Sequence, residues 1–251
     1  MSARLGLIAA RVLIVGALFL IWEALARSGA VNPRLLPPAT DVFATLLDIL
    51  QRPKVRADLL VTGAEVLTAF AISVPVGALI GLFVAENRYW GEVLKPLLFF
   101  VFSIPKSIFL PMFILAFGIG FAQKVGFGFF STIFILIMST TAAVESVRAD
   151  HVTVARSFGA TRGQIVGRVY LPSMLPVLLE ALRIAMIFNF TGVILAEMYA
   201  SREGLGHLIS NWGENFQIRP LLAGVLLIAG LAILFNEAVR WVETRCAHWR
   251  T

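Results

Sequence analysis

Six stretches of this chain are apolar over bilayer-matching lengths: residues 5–26, 59–85, 93–117, 125–144, 174–198 and 221–237. About 20 consecutive apolar residues span the hydrocarbon core as a helix. The expected fold is therefore all-α, a polytopic membrane protein with six transmembrane helices. Composition agrees, with 59% of residues hydrophobic and 14% charged, against about 25% charged in soluble domains. The net charge of +6 does not point to nucleic acid, because the arginines are spread over several loops, as the positive-inside bias places them. The single cysteine, Cys246, excludes an intrachain disulfide and a cysteine-based metal site. His151, His207 and His248 are far apart and form no ligand motif, so no metal is expected.

The spans differ in character. The first has Arg11 near one end, where its side chain can snorkel. Arg4 ahead of an apolar run and Ala24-Leu25-Ala26 resemble a secretory signal, but Trp22 and Glu23 fit that reading poorly and a retained span is expected. In the polar linker over 27–58, Leu36-Pro37-Pro38 breaks the chain and Thr40 or Asp41 is placed to cap a helix over 42–50. Gln51-Arg52-Pro53 then ends that helix. Pro75 predicts a kink in the second span. Residues 86–92, ENRYWGE, read as a turn with Tyr89 and Trp90 at the membrane interface. The third span carries Pro96, Pro105 and Pro111, with Lys106 inside the apolar run. Such a broken helix is tolerated in lipid only where it is buried in protein or lines a cavity. The fourth span has no charge. A hydrophilic segment, 199–219, separates the fifth from the sixth, and a basic tail follows.

Six spans put both termini on one side. That side holds Arg4, Arg11, Arg88, Lys95, Arg148, Arg156, Arg162, Arg168, Arg240, Arg245 and Arg250. The other holds Arg27, Arg34, Arg52, Lys54, Arg56, Lys124, Arg202 and Arg219. The bias places both termini and the 145–172 loop in the cytoplasm.

Within that loop, TVARSFGATRGQIVGRVYLP at 153–172 is a polar island between two apolar runs. Val154, Ala155 and Phe158 fall on one face of a short helix. Gly159 is placed to end it in the left-handed conformation that glycine adopts without strain. Thr161 and Gln164 have the spacing of a capping box and start a second helix, with Ile165, Val166 and Val169 on one side. Leu171-Pro172 is expected to stop it. The product is a knob with an apolar stripe and a basic rim, shaped for a partner's groove.

The same residues resemble a motif of binding-protein-dependent ABC importer permeases, E-A-A-x3-G-x9-I-x-L-P. Gly159, Val169 and Leu171-Pro172 fill its last positions, and Thr153, Val154 and Ala155 its first three, so the glutamate is replaced. Elsewhere LLPPATDVFATLL at 35–47, SIPKSIFLPMFILAFGIG at 103–120 and EMYASREGLGHLI at 197–209 resemble the nitrate, sulfonate and taurine branch. The last has one residue more before its G-L-G. The resemblance implies a type I importer fold with a single permease domain and a coupling loop at 150–172. It also implies a second permease copy in a homodimer, two cytoplasmic ATPase subunits and a periplasmic or lipid-anchored binding protein, in a bacterial inner membrane. Coupling to the ATPase is then assigned to Ala155, Arg156, Phe158, Gly159, Ala160, Thr161, Arg162, Leu171 and Pro172. This chain has no G-x-x-x-x-G-K-[ST] run, so ATP and Mg²⁺ would be held by the partner; no cofactor and no enzymatic activity are expected here.

Ionisable groups inside lipid are costly and mark pathways, which makes Lys106, Glu180, Arg183, Asn189 and Glu197 the pathway or gate candidates. Each has a plainer role. Glu180 and Arg183 can neutralise each other at i and i+3, Lys106 can snorkel, Asn189 can bond between helices, and Glu197 can sit at the interface. Two other functional classes are open, a secondary transporter and a membrane-integral enzyme using buried charges. Neither explains the knob, and no internal repeat of the kind common in secondary transporters is evident.

Overall fold

Long apolar runs become long helices because lipid offers the backbone no hydrogen-bond partner. The computed structural model describes residues 2–32, 34–147 and 149–246; Arg148, His248 and Arg250 lie outside them. Among the described residues there are helices and turns and no strand. Their order is α1 (Ser2–Arg27), α2 (Ala39–Gln51), α3 (Pro53–Glu86), α4 (Arg88–Ser103), α5 (Leu110–Phe117), α6 (Phe121–Glu145), α7 (Ala149–Ser157), α8 (Arg162–Ile165), α9 (Leu171–Tyr199), α10 (Leu205–Glu214) and α11 (Ile218–Cys246). Five helices, α1, α3, α6, α9 and α11, are each long and apolar enough to cross a membrane. The sixth apolar run is α4 and α5 joined by a 3-10 turn over Lys106–Phe109, the two parts bent by 86°.

Several sequence expectations shift. The chain turns from α3 to α4 at Asn87 alone, so Tyr89 and Trp90 stand in the first turn of α4 rather than in a seven-residue loop. α3 passes through Pro75 as one helix. Of the three prolines in the third run, Pro96 lies within α4 and Pro111 in the first turn of α5, where its missing donor costs nothing. The break therefore falls at Ile104-Pro105. Neither Thr40 nor Asp41 caps α2, which starts at Ala39. Glu23 of α1 does so instead, accepting from the Thr40 backbone N–H at 3.1 Å and its hydroxyl at 3.0 Å. Trp22 donates to the Pro37 carbonyl at 3.0 Å. The two residues that disfavoured a cleavable signal thus tie α1 to the linker.

α6 is the most buried of the spans and packs between α3 and α9. The three approach closely because small residues meet at the crossings, the usual device in lipid, where apolar surface alone does not drive association. On α3, Gly77 and Gly81 form a G-x-x-x-G pair. A Cβ on Gly81 would lie 2.6 Å from Thr140 Cβ and 2.7 Å from the Ile137 carbonyl. On the other side, Gly128 of α6 faces Val193 of α9, and Gly192 faces Ser131. Polar links reinforce the contacts: Thr141 donates to the Gly81 carbonyl at 3.1 Å, and Asn189 donates to the Val66 carbonyl at 2.7 Å.

The hydrophilic segment at 199–219 contains the 10-residue helix α10, whose Leu205, Leu208, Ile209 and Trp212 pack with Val42 and Ile49 of α2, Val55 of α3 and Ala223 of α11. This cluster caps one end of the bundle, the mouth; the 149–170 knob stands at the opposite end.

Gly81→Ala is expected to cost about 1–3 kcal/mol through overpacking against a backbone carbonyl. Gly63, with nothing within 4 Å of its added Cβ, is the control. Thermal unfolding in detergent should show a lower midpoint for Gly81→Ala than for Gly63→Ala.

Candidate functional site

Two places carry the chemistry, the knob and the mouth, and α9 joins them. At the knob, α7 ends as the sequence requires. Gly159 has φ +77°, and the Ala160 N–H donates to the Ala155 carbonyl at 3.0 Å while the Gly159 N–H donates to the Arg156 carbonyl at 2.9 Å. That nested pair is the Schellman arrangement. Thr161 and Gln164 form the reciprocal capping box, at 2.8 and 3.4 Å. Ile165 is buried, and Tyr170 packs with Ala143, Val144 and Met174 at the ends of α6 and α9. Val154 and Phe158, one turn apart, are 55% and 88% exposed. Ala155 and Ala160 are half-buried, and Arg156 and Arg162 are exposed, beside Glu86 at the foot of the knob.

Leu171-Pro172 does not stop the second helix. A π turn over Val166–Tyr170 widens the backbone, with the Leu171 N–H reaching the Val166 carbonyl, and α9 follows at once with Pro172 in its first turn. The wider turn absorbs the bond that Pro172 cannot make. The knob is therefore rigidly continuous with a span.

The five pathway candidates separate. Lys106 begins the 3-10 turn at the broken span, half-buried, its ammonium 4.2 Å from the Phe102 ring centroid and 5.6 Å from that of Phe188. Glu180 is exposed and Arg183 half-buried on α9. Asn189 is buried and bonds α9 to α3. Glu197 is fully buried at the mouth, not at a lipid interface.

There Glu197 belongs to a network that the sequence did not announce. Its Oε1 accepts from the Thr62 hydroxyl at 2.6 Å and its Oε2 from the Gly206 N–H at 2.7 Å. The Leu205 N–H donates to Thr62 Oγ1 at 2.9 Å, and the Gly204 N–H to Asp58 Oδ1 at 2.8 Å. α3 and the end of α9 thus clamp the 204–206 backbone. Gly204, at φ +101°, lies so close that an added Cβ would strike the Glu197 carboxylate. Beside this clamp, Lys124 donates to Glu65 Oε1 at 2.8 Å, both residues buried. Lys124 is accordingly no loop charge: α6 begins at Phe121 and carries it inward. The signal for this network was present as Asp58, Thr62 and Glu65, polar residues at helical spacing at and just inside the start of the second apolar run.

Similarity to known proteins follows the same outline. Residues 73–248 match the family described as binding-protein-dependent transport system inner membrane component. The taurine transport system permease protein of Escherichia coli is 28% identical over 92% of this chain and 86% of its own length. The putative aliphatic sulfonates transport permease protein of Bacillus subtilis is 24% identical over 95% and 86%. The formylaminopyrimidine transport permease protein of Halalkalibacterium halodurans is 28% identical over 93% and 92%. In fold, the chain superimposes on a chain of the MetNI methionine ABC transporter, in an inward-facing conformation, with a TM-score of 0.65 and 22% identity over 80% of this chain and 98% of that one.

Glu197→Ala would leave the buried Thr62 hydroxyl and Gly206 N–H without their acceptor, at about 1–3 kcal/mol for each group. A cysteine at Ser201 is expected to react faster with a soluble maleimide in the Glu197→Ala background, as the clamped turn loosens. Glu197→Gln, which keeps an acceptor oxygen, should change the rate less.

Proposed function

We infer that this chain, which belongs to the family of binding-protein-dependent transport system inner membrane components, is the membrane-spanning subunit of an ATP-driven importer and forms the path for a small anionic solute. It is a transport subunit, not an enzyme. The observation that carries the coupling part of this reading is the knob: an exposed apolar pair, Val154 and Phe158, on a helix held at a fixed angle by Gly159 and fused to a membrane span. Apolar surface at the tip of a rigid projection fits a groove on a partner. In the proposed assembly two copies of this chain form the pathway, and two ATPase subunits seat the knobs and hold ATP and Mg²⁺. A binding protein delivers the solute to the mouth. Both termini and the knob then face the cytoplasm.

Force at the knob has a direct route. α9 has 29 residues, about 43 Å at 1.5 Å per residue, and its far end carries Glu197. Displacement of the knob therefore moves one jaw of the mouth clamp without an intervening hinge. Two relatives named for taurine and for aliphatic sulfonates support an anionic solute here. Lys106, at the break in the α4–α5 span, is the cation placed to meet it.

The test is uptake together with ATPase retention, measured in one preparation. Phe158→Ala is expected to cut ATP-driven uptake and to release the ATPase during purification, since a buried aromatic anchor contributes about 2 kcal/mol or more to an interface. Gly159→Val is expected to cut uptake by forcing a β-branched residue into the left-handed region, at about 1–2 kcal/mol. Arg162→Ala, on the rim, should do less. Lys106→Met should lower uptake with the ATPase still bound. Normal uptake with ATPase bound in both Phe158→Ala and Gly159→Val contradicts the coupling role, and normal uptake in Lys106→Met removes that residue from the path.

A further inference from the structure

Three buried carboxyls meet one buried ammonium at the mouth. Asp58 and Glu65 of α3, Glu197 of α9 and Lys124 of α6 are each at most 4% exposed. Arg202 and Glu203 stand exposed on the adjoining turn, and His207 is half-buried on α10. Lys124 donates to Glu65 Oε1 at 2.8 Å, which balances one carboxylate. Asp58 accepts from the Gly204 N–H. Glu197 is held by neutral donors, the Thr62 hydroxyl and the Gly206 N–H.

The carboxyls of Glu65 and Glu197 lie within hydrogen-bond reach of each other. Lys124 occupies Oε1 of Glu65, so Oε2 is the oxygen left for Glu197, and it is buried without an N–H or O–H donor. Two carboxylates in contact away from water repel each other, and a proton held between them turns the repulsion into a hydrogen bond. A shared proton thus supplies the donor that a buried acceptor requires.

The surroundings decide what yields when that proton leaves. Asn189 of α9 donates at 2.7 Å to the carbonyl of Val66, the residue after Glu65, and so holds the two helices against separation. The 201–206 turn rests on the pair from outside: a Cβ on Gly204 would lie 2.1 Å from Glu197 Oε1, and one on Gly206 3.0 Å from Oε2. The tip of this turn is exposed, and it borders a cavity of about 590 Å³ that opens between α3 and the start of α6. The turn is the part free to move.

We propose that Glu65 and Glu197 share one proton, and that its loss to water in the mouth cavity leaves both carboxylates charged and frees the 201–206 turn. The proton is bound on the acid side, so the mouth is latched at low pH and loosens as pH rises. The shared proton follows from the packing alone; its use as a gate on the entering solute rests on the importer reading.

The complex of this chain with its ATPase, in nanodiscs, is scanned from acid to alkaline pH with Ser201→Cys or Asn211→Cys in a Cys246→Ser background. Dividing the maleimide rate at 201 by that at 211 removes the ionisation common to both thiols. The ratio is expected to rise about tenfold through one step, the factor that one charged hydrogen bond supplies. Glu65→Gln puts an amide N–H in place of the shared proton at every pH, while its carbonyl oxygen still accepts from Lys124. It should abolish the step and keep the ratio at its acid value. If Glu65 is only a counter-ion for Lys124, the ratio rises at every pH instead, and the proposal is overturned. Glu197→Gln, whose amide donates to Glu65 Oε2, should also abolish the step and carries the test if Glu65→Gln fails to fold. In infrared spectra the carbonyl stretch of a protonated carboxylic acid should weaken through the same step, and this change should be missing from both glutamine variants. A ratio that does not change with pH overturns the proposal. So does a step that persists in the glutamine variants, which would belong to Asp58, Glu203 or His207. ATP-driven uptake over the same range judges the gate separately: a step in the ratio without one in uptake keeps the shared proton and rejects its use as a gate.

Discussion

Everything in this structure depends on how closely α3, α6 and α9 approach one another. In lipid, apolar side chains gain nothing by leaving hydrocarbon for a protein interior, so close packing and interhelical hydrogen bonds hold the helices together. Gly77, Gly81, Gly128 and Gly192 permit the approach, and Thr141 and Asn189 bond across it. The outer helices α1 and α11 bury far less of their surface and are secured at the mouth, through Trp22, Glu23 and the α2–α10 cap. The bundle is thus a tight three-helix core with a looser periphery.

Charge is handled by the same core. Lys124, Glu65, Glu197 and Asp58 are buried at one end of it, where isolated charges would be prohibitive. Their pairing with one another and with the 204–206 backbone makes burial tolerable and fixes the mouth in one arrangement. Replacing a buried pair by apolar residues is often neutral for stability, whereas removing one partner is costly, so Lys124 and Glu65 depend on each other. α9 connects this mouth to the knob as one continuous helix, the path that the proposed coupling requires.

Sequence patterns reached the knob and missed the mouth for a physical reason. Gly159, Thr161 and Gln164 act on their own neighbours, within six residues, so their spacing is the mechanism itself and the Schellman turn and capping box are legible. Glu197, Thr62, Lys124 and Glu65 are brought together by tertiary packing across 135 and 59 residues, and no local pattern shows it. Lys124 falls outside the apolar run at 125–144 because hydropathy sets a span's edge at the charge, while helix α6 begins before it. Leu171-Pro172 misled in the opposite way: proline ends a helix seen from its N-terminal side, but here it sits in the first turn of the next one. In the hydrophilic segment at 199–219, polar residues mask the buried stripe of Leu205, Leu208, Ile209 and Trp212, so its helix is not legible from hydropathy. The fold class and the broken third run, by contrast, follow from apolar length and proline position alone.

In the proposed assembly the knob and the mouth lie on opposite faces of the membrane, the knob with the ATPase and the mouth outside, and labelling in sealed right-side-out vesicles measures that directly. Single cysteines at Arg162 and Asn211, both exposed, are introduced in a Cys246→Ser background and treated with a membrane-impermeant maleimide. The cysteine at 211 is expected to react at once and the cysteine at 162 only after the membrane is permeabilised. Reaction of both before permeabilisation, or of 162 alone, would contradict the account.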